Sequence, residues 1–100
     1  MDTQVAVGEE QVYLLNLGRQ LRAARRAQGL SLKVVEAMTN GEFKASALGA
    51  YERAQRTISV VRLHRLARFY AVPVDRLLPA DNQVGVVIDL REGTEVPLPT

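Results

Sequence analysis

The sequence predicts an all-α fold, a compact domain of five helices with flexible arms at both ends. Two observations carry this prediction. Apolar side chains recur at helical spacing through residues 10–79, and glycine, serine or proline stands near the expected helix boundaries. A chain of 100 residues is long enough for one small domain. The sequence contains no cysteine, which excludes disulfide bonds and thiolate metal sites.

The first helix is predicted over residues 10–28. Leucines recur there at intervals of three and four residues, so they share one face of a helix. Gly29 follows as the expected left-handed stop. Residues 1–9 show no such period, and we predict a flexible N-terminal arm for them.

Two short helices separated by a tight turn are predicted next. Ser31 is suited to cap a helix that runs to Met38, because its hydroxyl can accept a hydrogen bond from a free amide. Val34, Val35 and Met38 are expected to face inward on this helix. Thr39-Asn40-Gly41 has the composition of a turn, and a third helix is predicted over about Phe43–Ala54. Two short helices joined by a glycine-containing turn are typical of the helix-turn-helix motif.

The fourth helix is predicted to begin after Ser59 as its N-cap and to end before Pro73, with Leu63, Leu66 and Tyr70 on its apolar face. A fifth helix is predicted to cover Val74–Leu78. The folded domain is thus expected over residues 10–79. Residues 80–100 are rich in valine but lack a recognisable partner strand. Two interpretations stay open for them: a disordered linker or tail, or a strand that pairs with a second chain or packs on the domain.

Charge is distributed unevenly along the sequence. The net charge is +2, but residues 16–79 hold twelve basic and four acidic side chains, whereas residues 1–15 and 80–100 are acidic. A basic folded part between acidic ends favours a nucleic-acid partner. The sequence lacks both a membrane-spanning apolar run and the pattern of a signal peptide. We therefore predict a cytoplasmic, nucleoid-associated protein with no membrane contact.

The third helix carries the candidate binding surface. Five residues fall on one of its faces at helical spacing, and four of them are very small: Ala45, Ser46, Gly49, Ala50 and Arg53. A flat face of this kind suits close approach to the major groove of DNA, which makes this the candidate recognition helix. The alternative is an ordinary surface helix rich in small residues.

Cations surround this face and are predicted to contact phosphates, which positions a protein without reading sequence. The predicted phosphate contacts are Lys33, Lys44, Arg53 and Arg56, together with the amide end of the second helix at Ser31. Ala45 and Ala50 can contact thymine methyl groups, and Ser46 can bond to several base edges. Lys44 or Arg53 would have to supply any guanine contact. Specificity is therefore expected to depend on helix fit and DNA shape.

Arg25 and Glu52 are predicted to meet where the first and third helices pack together. A buried or half-buried ion pair at this place would tie the candidate recognition helix to the rest of the domain. We therefore expect these two residues to have a structural role and no chemical one.

Signals of catalysis are missing from the sequence. His64 is the only histidine, and it is expected on the polar face of the fourth helix as a plain surface residue. No serine stands in a recognisable relation to a histidine and a carboxylate, and no glycine-rich phosphate loop follows a strand. We therefore expect neither an enzyme nor a bound cofactor or metal.

From Leu17 to Pro79 the sequence resembles the Cro/C1-type, or XRE-like, helix-turn-helix superfamily. The matching segments are LRAARRAQGLSL, ALGAYERAQR and LHRLARFYAVPVDRLL. The turn MTNGEFKAS is two residues longer than in most members of the superfamily. With its flanking residues, this longer turn resembles the N-terminal DNA-binding domain of the BldD regulator family.

This resemblance implies a lambda-repressor-like fold with the third helix in the major groove and a homodimer on a palindromic operator. It also implies that Arg25 pairs with Glu52. Proteins of the BldD family carry a C-terminal domain that binds cyclic di-GMP through arginine–aspartate motifs, which DLREGTE does not match. Cyclic di-GMP is therefore expected only if a C-terminal domain absent from this sequence exists.

The combined prediction is a sequence-specific regulator of transcription that binds double-stranded DNA and acts as a repressor. The basic residues 16–79 are the part of the chain predicted to contact the nucleic acid. The alternative is a protein-binding adaptor or antitoxin module that uses the same fold. The two alternatives differ in the salt dependence of binding to duplex DNA, which is steep only for a DNA-binding protein.

Overall fold

The computed structural model describes the backbone of residues 2–80 and the side chains from residue 8 onward, and this part holds five helices. They are α1 (Asp2–Ala27), α2 (Leu32–Met38), α3 (Ala45–Glu52), α4 (Val60–Tyr70) and α5 (Val74–Leu77). Helix α1 packs against α3 and α5, α2 packs against α3, and α4 packs against α5. The predicted all-α, five-helix fold is confirmed.

The starts of α2 and α4 agree with the predicted serine caps. The hydroxyl of Ser31 accepts a hydrogen bond from the amide of Val34 at 3.1 Å. The hydroxyl of Ser59 accepts one from the amide of Arg62, also at 3.1 Å. Each bond satisfies one of the amides that a helix leaves free in its first turn, and so fixes where the helix begins.

Helix α1 begins at Asp2, so the start predicted at Glu10 was wrong. The sequence before Glu10 lacks the apolar period of an amphipathic helix, but the lack of that signal does not prevent a helix from forming. Residues 2–9 contain no proline, and extending an existing helix costs far less than nucleating one. The division into arm, domain and tail stays a prediction, and residues 81–100 lie outside the described part.

Helix α3 is shorter than predicted, since it runs from Ala45 to Glu52 and leaves Phe43 outside its start. Lys44 has extended dihedral angles, with φ −71° and ψ 143°, and forms the N-terminal boundary. At the other end Ala54 is left-handed, with φ 61°, which stops the helix. A helix of only two turns therefore carries the candidate surface.

The core is apolar, with Tyr70, Phe43 and Leu21 among its largest fully buried side chains. Val34 and Met38 were expected to face inward with Val35, but they are 42% and 58% exposed, whereas Val35 is 0% exposed. The expectation failed because α2 is a short helix that packs mainly on α3. One narrow stripe of such a helix is enough to make that contact.

Helices α1 and α3 approach each other closely at Gly18. A Cβ atom at this position would overlap the backbone carbonyl oxygen of Glu52 and would lie 2.9 Å from that of Tyr51. Only glycine allows main-chain atoms to come this near. The contact therefore fixes the distance and the register of α3 on α1.

Candidate nucleic-acid interface

The turn between α2 and α3 is held by its own backbone and one hydroxyl. Asn40 and Gly41 are both left-handed, with φ 53° and 80°, and the amide of Gly41 donates to the carbonyl of Glu36 at 2.8 Å. The hydroxyl of Thr39 accepts a hydrogen bond from the amide of Phe43 at 3.2 Å. These bonds fix the angle at which the chain leaves α2 and enters α3.

Glu36 connects the two helices of this unit, a role that the sequence analysis missed. Its Oε1 accepts a hydrogen bond from the amide of Ala45 at 2.9 Å, at the first residue of α3. Its Oε2 lies 3.9 Å from Nζ of Lys44, which makes no side-chain cap of its own. Because the carboxylate comes from nine residues earlier, no local capping pattern could have indicated it.

The predicted face of small residues is only partly open. Ser46 is exposed and Ala45 is half-buried, but Gly49 and Ala50 are buried, so the expectation of an open face was wrong at these two positions. Ala50 lies at the edge of the face. Because α3 packs against both α1 and α2, a residue at that edge turns toward the core. The predicted thymine contact of Ala50 therefore lacks a suitable exposure.

Gly49 is covered by the side chain of Arg53, the residue that directly follows α3. The three heavy atoms nearest to an ideal Cβ at Gly49 all belong to the guanidinium of Arg53, with Nη1 at 2.7 Å. Nε of Arg53 also donates to Oε1 of Gln55 at 3.2 Å. Arg53 therefore lies folded back along α3 across the glycine, as the direction of helical side chains favours.

All four cations predicted to contact phosphates are exposed: Lys33, Lys44, Arg53 and Arg56. The guanidinium of Arg56 lies over the ring of Tyr51, with 5.7 Å from its Cζ to the ring centroid. Ser31 is exposed too, although its hydroxyl is already used as the cap of α2. These residues all lie in the segment from Ser31 to Arg56, which holds α2, α3 and their flanking residues and is called the α2–α3 unit below.

Arg25 and Glu52 form a bidentate pair between α1 and α3. Nε and Nη2 of Arg25 donate to the two carboxylate oxygens of Glu52 at 2.7 and 2.9 Å, and Nη1 donates to the carbonyl of Leu30 at 2.8 Å. The side chains are only 11% and 8% exposed. The hydrogen bond to Glu52 raises the pKa of Arg25 above its ordinary value. That the pair has a structural role stays a prediction.

Two arginines of α4 contact side chains of α3 and of the turn before it, and the sequence analysis did not identify them. The guanidinium of Arg62 lies 4.4 Å from the centroid of the Phe43 ring, and its Nε donates to Oη of Tyr51 at 3.2 Å. Arg65 forms an ion pair with Glu42, with Nη2 3.0 Å from Oε1. Hydrogen bonding to Arg65 lowers the pKa of Glu42.

The hydroxyl group of Tyr70 is buried in the core, where the charges of Arg25 and Glu52 act on it. It has no hydrogen-bond partner among the described residues. Burial raises the pKa of Tyr70 to about 12, and the negative charge of Glu52 acts in the same direction. A free polar group at this depth costs stability, since nothing replaces its lost hydration.

Other kinds of site find little support in the described part of the chain. In that part, no group of three or more acidic, histidine or cysteine side chains is placed to hold a metal ion. None of the five described helices is both long and apolar enough to cross a membrane. His64 is exposed on α4, as expected for a surface residue.

Residues 16–79 match a protein family described as a helix-turn-helix domain. The chain belongs to this helix-turn-helix domain family. The match includes α2, α3 and the turn between them, together with α4, α5 and the part of α1 that packs on α3. The predicted membership of a helix-turn-helix superfamily is therefore confirmed.

Two solved structures are similar to this helix-turn-helix chain. One is described as the crystal structure of the DNA-binding domain of BldD, with 52% identity and a TM-score of 0.65, covering 67% of this chain and 94% of that one. The other is the S. venezulae BldD DNA-binding domain, with the same identity and TM-score, covering 67% and 97%. No curated protein matches the chain. The predicted resemblance to the BldD family is confirmed.

Proposed function

We propose that this helix-turn-helix domain binds double-stranded DNA in a sequence-specific manner and regulates transcription. The observation that carries the proposal is the two-sided construction of α3. Its inner side is fixed to α1 by Gly18 and by the pair of Arg25 and Glu52, while Ser46 and Arg53 face outward. The similarity to two structures described as DNA-binding domains, at 52% identity, supports the same function.

In this proposal α3 enters the major groove, and the exposed cations of the α2–α3 unit contact the flanking phosphates. Lys33 stands in the first turn of α2, Lys44 at the start of α3 and Arg56 just beyond its end. Each cation that neutralises a phosphate releases counterions, which supplies affinity that depends strongly on salt. Firm attachment of α3 to α1 keeps the helix at one angle to the groove.

The regulator is proposed to act as a homodimeric repressor on a palindromic operator. A dimer with two-fold symmetry presents two copies of α3, and each reads one half-site. A bound dimer hinders access to the DNA that it covers. The repressor role and the dimer rest on the resemblance to the XRE-like superfamily, and the absence of catalysis stays a prediction.

A salt titration of DNA affinity tests the proposal. Duplexes selected from a random library are titrated with the protein, and the dissociation constant is followed by fluorescence anisotropy at several salt concentrations. We expect a steep loss of affinity with salt, with a logarithmic slope of about −0.9 per phosphate contact. A flat response would contradict the proposal and favour a protein-binding adaptor.

Matched charge variants locate the interface. We expect Lys33→Ala and Lys44→Ala each to weaken binding on every duplex and to reduce the salt slope by about 1 per protomer. Arg76→Ala removes the same charge from α5, which packs against α1 and α4. The Arg76 variant should bind like the wild type, and an equal loss in all three variants would show that only net charge matters.

A further inference from the structure

Arg53 differs from Arg25 and Arg65, two other arginines near α3, in how its guanidinium is held. Arg25 and Arg65 form ion pairs, with Glu52 and Glu42 respectively. No salt bridge of Arg53 occurs among residues 8–80, where the ion pairs join other cations. The guanidinium of Arg53 is nevertheless positioned, because it lies against Gly49 and its Nε donates to the side-chain amide of Gln55.

The guanidinium of Arg53 lies beside Gly49, next to the place where a Cβ atom would stand. Around an ideal Cβ at Gly49, Nη1 of Arg53 lies at 2.7 Å, and Cζ and Nη2 both lie at 3.5 Å. Any side chain at this position would have to share that space with the guanidinium. The planar group therefore rests against α3 because residue 49 has no side chain.

The side-chain amide of Gln55 holds the guanidinium of Arg53 through one hydrogen bond. Oε1 of Gln55 accepts a hydrogen bond from Nε of Arg53 at 3.2 Å, and Nε is the nitrogen nearest to the backbone. The terminal nitrogens Nη1 and Nη2 keep their donors for another partner. Gly49, Arg53 and Ser46 share one face of α3, so these donors belong to the side that the proposed function assigns to the major groove.

A fixed planar fork is more than a phosphate contact requires. A phosphate can be bound by a mobile ammonium group as well as by the arginine fork, whereas a bidentate contact to O6 and N7 of guanine needs donors at a set direction. Holding the fork before binding removes part of the entropy cost of ordering a long side chain. The arrangement therefore favours the guanine contact, for which the sequence offered Lys44 or Arg53, over the phosphate contact that was also predicted for Arg53.

We infer that Arg53 is a specificity-determining residue that reads one guanine in each half-site, and that Gly49 and Gln55 position it. The inference rests on the proposed function, because it needs α3 in the major groove. It assigns the chemistry of one operator position: a guanine whose O6 and N7 accept from the guanidinium. It also explains why a glycine stands within the short helix α3 at some cost in helix stability.

The test is a base-by-base scan of a duplex selected by the wild-type protein. Each position of the half-site is replaced in turn, and affinities are measured at one fixed salt concentration. We expect one guanine whose replacement by adenine or by 7-deazaguanine lowers wild-type affinity by about 10- to 100-fold. In Arg53→Ala that position should become indifferent to the base, while the preferences at the other positions persist.

Two further variants separate positioning from charge. Arg53→Lys keeps the charge but lacks the fork, so it should lose the same guanine preference. Gly49→Ala should do so too, because its methyl group occupies the place of the guanidinium. Thermal unfolding followed by circular dichroism checks that each variant is folded. Arg56→Ala is the comparison, and it should weaken all duplexes equally and lower the salt slope by about 1 per protomer.

The possible results decide between the two roles of Arg53. If Arg53→Ala weakens all duplexes equally, lowers the salt slope and leaves every base preference intact, Arg53 is a phosphate contact and the inference is wrong. Retention of the guanine preference by Gly49→Ala would overturn the positioning role of Gly49. A wild-type protein that selects no duplex would refute the proposed function itself, and the inference with it.

Discussion

Two glycines mark the two sides of α3: Gly18 of α1 lies against its inner side, and Gly49 belongs to its outer side. A Cβ at Gly18 would overlap the carbonyl oxygen of Glu52, which is backbone. A Cβ at Gly49 would meet only the guanidinium of Arg53, a side-chain group that is held in the native structure but can move to another rotamer when a methyl group displaces it. The backbone at Gly18 can yield only if the whole helix moves. The inner side is therefore the more rigid of the two.

The largest effect is expected from breaking the ion pair on the inner side. Glu52→Ala leaves the guanidinium of Arg25 buried with one carbonyl as its remaining partner. We expect a loss of about 4 kcal/mol in the free energy of unfolding, measured by urea denaturation. Glu42→Ala breaks the exposed pair with Arg65 and serves as the control, with little change expected. Equal losses in both variants would contradict the comparison.

Substitution of the inner glycine should rank second. Gly18→Ala forces α1 and α3 apart, because the added methyl group meets the main chain of Glu52 and Tyr51. We expect a loss of about 3 kcal/mol in the same measurement. Gly8→Ala is the matched control on α1, since nothing lies within 4 Å of a Cβ there. A Gly18 variant as stable as the control would show that the helices do not touch as described.

A pH-dependent effect is expected from Tyr70. Its pKa is about 12 in the folded protein and about 10 in an unfolded chain, so the unfolded chain loses the proton first. The corresponding stabilisation is complete below pH 10 and disappears as pH rises to 12, a loss of up to about 3 kcal/mol. Tyr70→Phe should lack this part of the alkaline loss in denaturation curves measured from pH 8 to 12. Parallel curves for the two proteins would contradict the assignment.

The smallest effect is expected on the outer side, and its sign is opposite. Gly49→Ala should raise the free energy of unfolding by about 0.5 to 1 kcal/mol, because alanine favours the helix and only Arg53 has to move. Thermal unfolding measures this gain. A loss as large as that of Gly18→Ala would show that the outer side is as rigid as the inner one.

The sequence predicted the features that depend on local patterns. Ser31 and Ser59 each precede a helix-compatible run, and both cap their helices through the hydroxyl as expected. The stripe of Leu63, Leu66 and Tyr70 at helical spacing is buried in the core. Such features need only the geometry of a single helix, which is the same in every protein.

The features that the sequence did not predict depend on distances between helices. The two backbones come close at Gly18 only because α3 crosses α1 at that residue. The bond from the amide of Ala45 to Glu36 joins residues nine positions apart, and the cover of Gly49 depends on the rotamer of Arg53. Helical periodicity gives the direction of a side chain but not its neighbour, so these contacts had to come from the structure.

The contact at Gly18 has a consequence for how such regulators diversify. Main-chain atoms of Tyr51 and Glu52 hold α3 in place there, so its outward residues are free to be exchanged while the scaffold is retained. Under the proposed function, gene duplicates of this protein acquire new targets through a few substitutions at outward positions such as Ser46, which leave the contact with α1 intact. The same separation would let outer residues be transplanted from one relative to another to test that function.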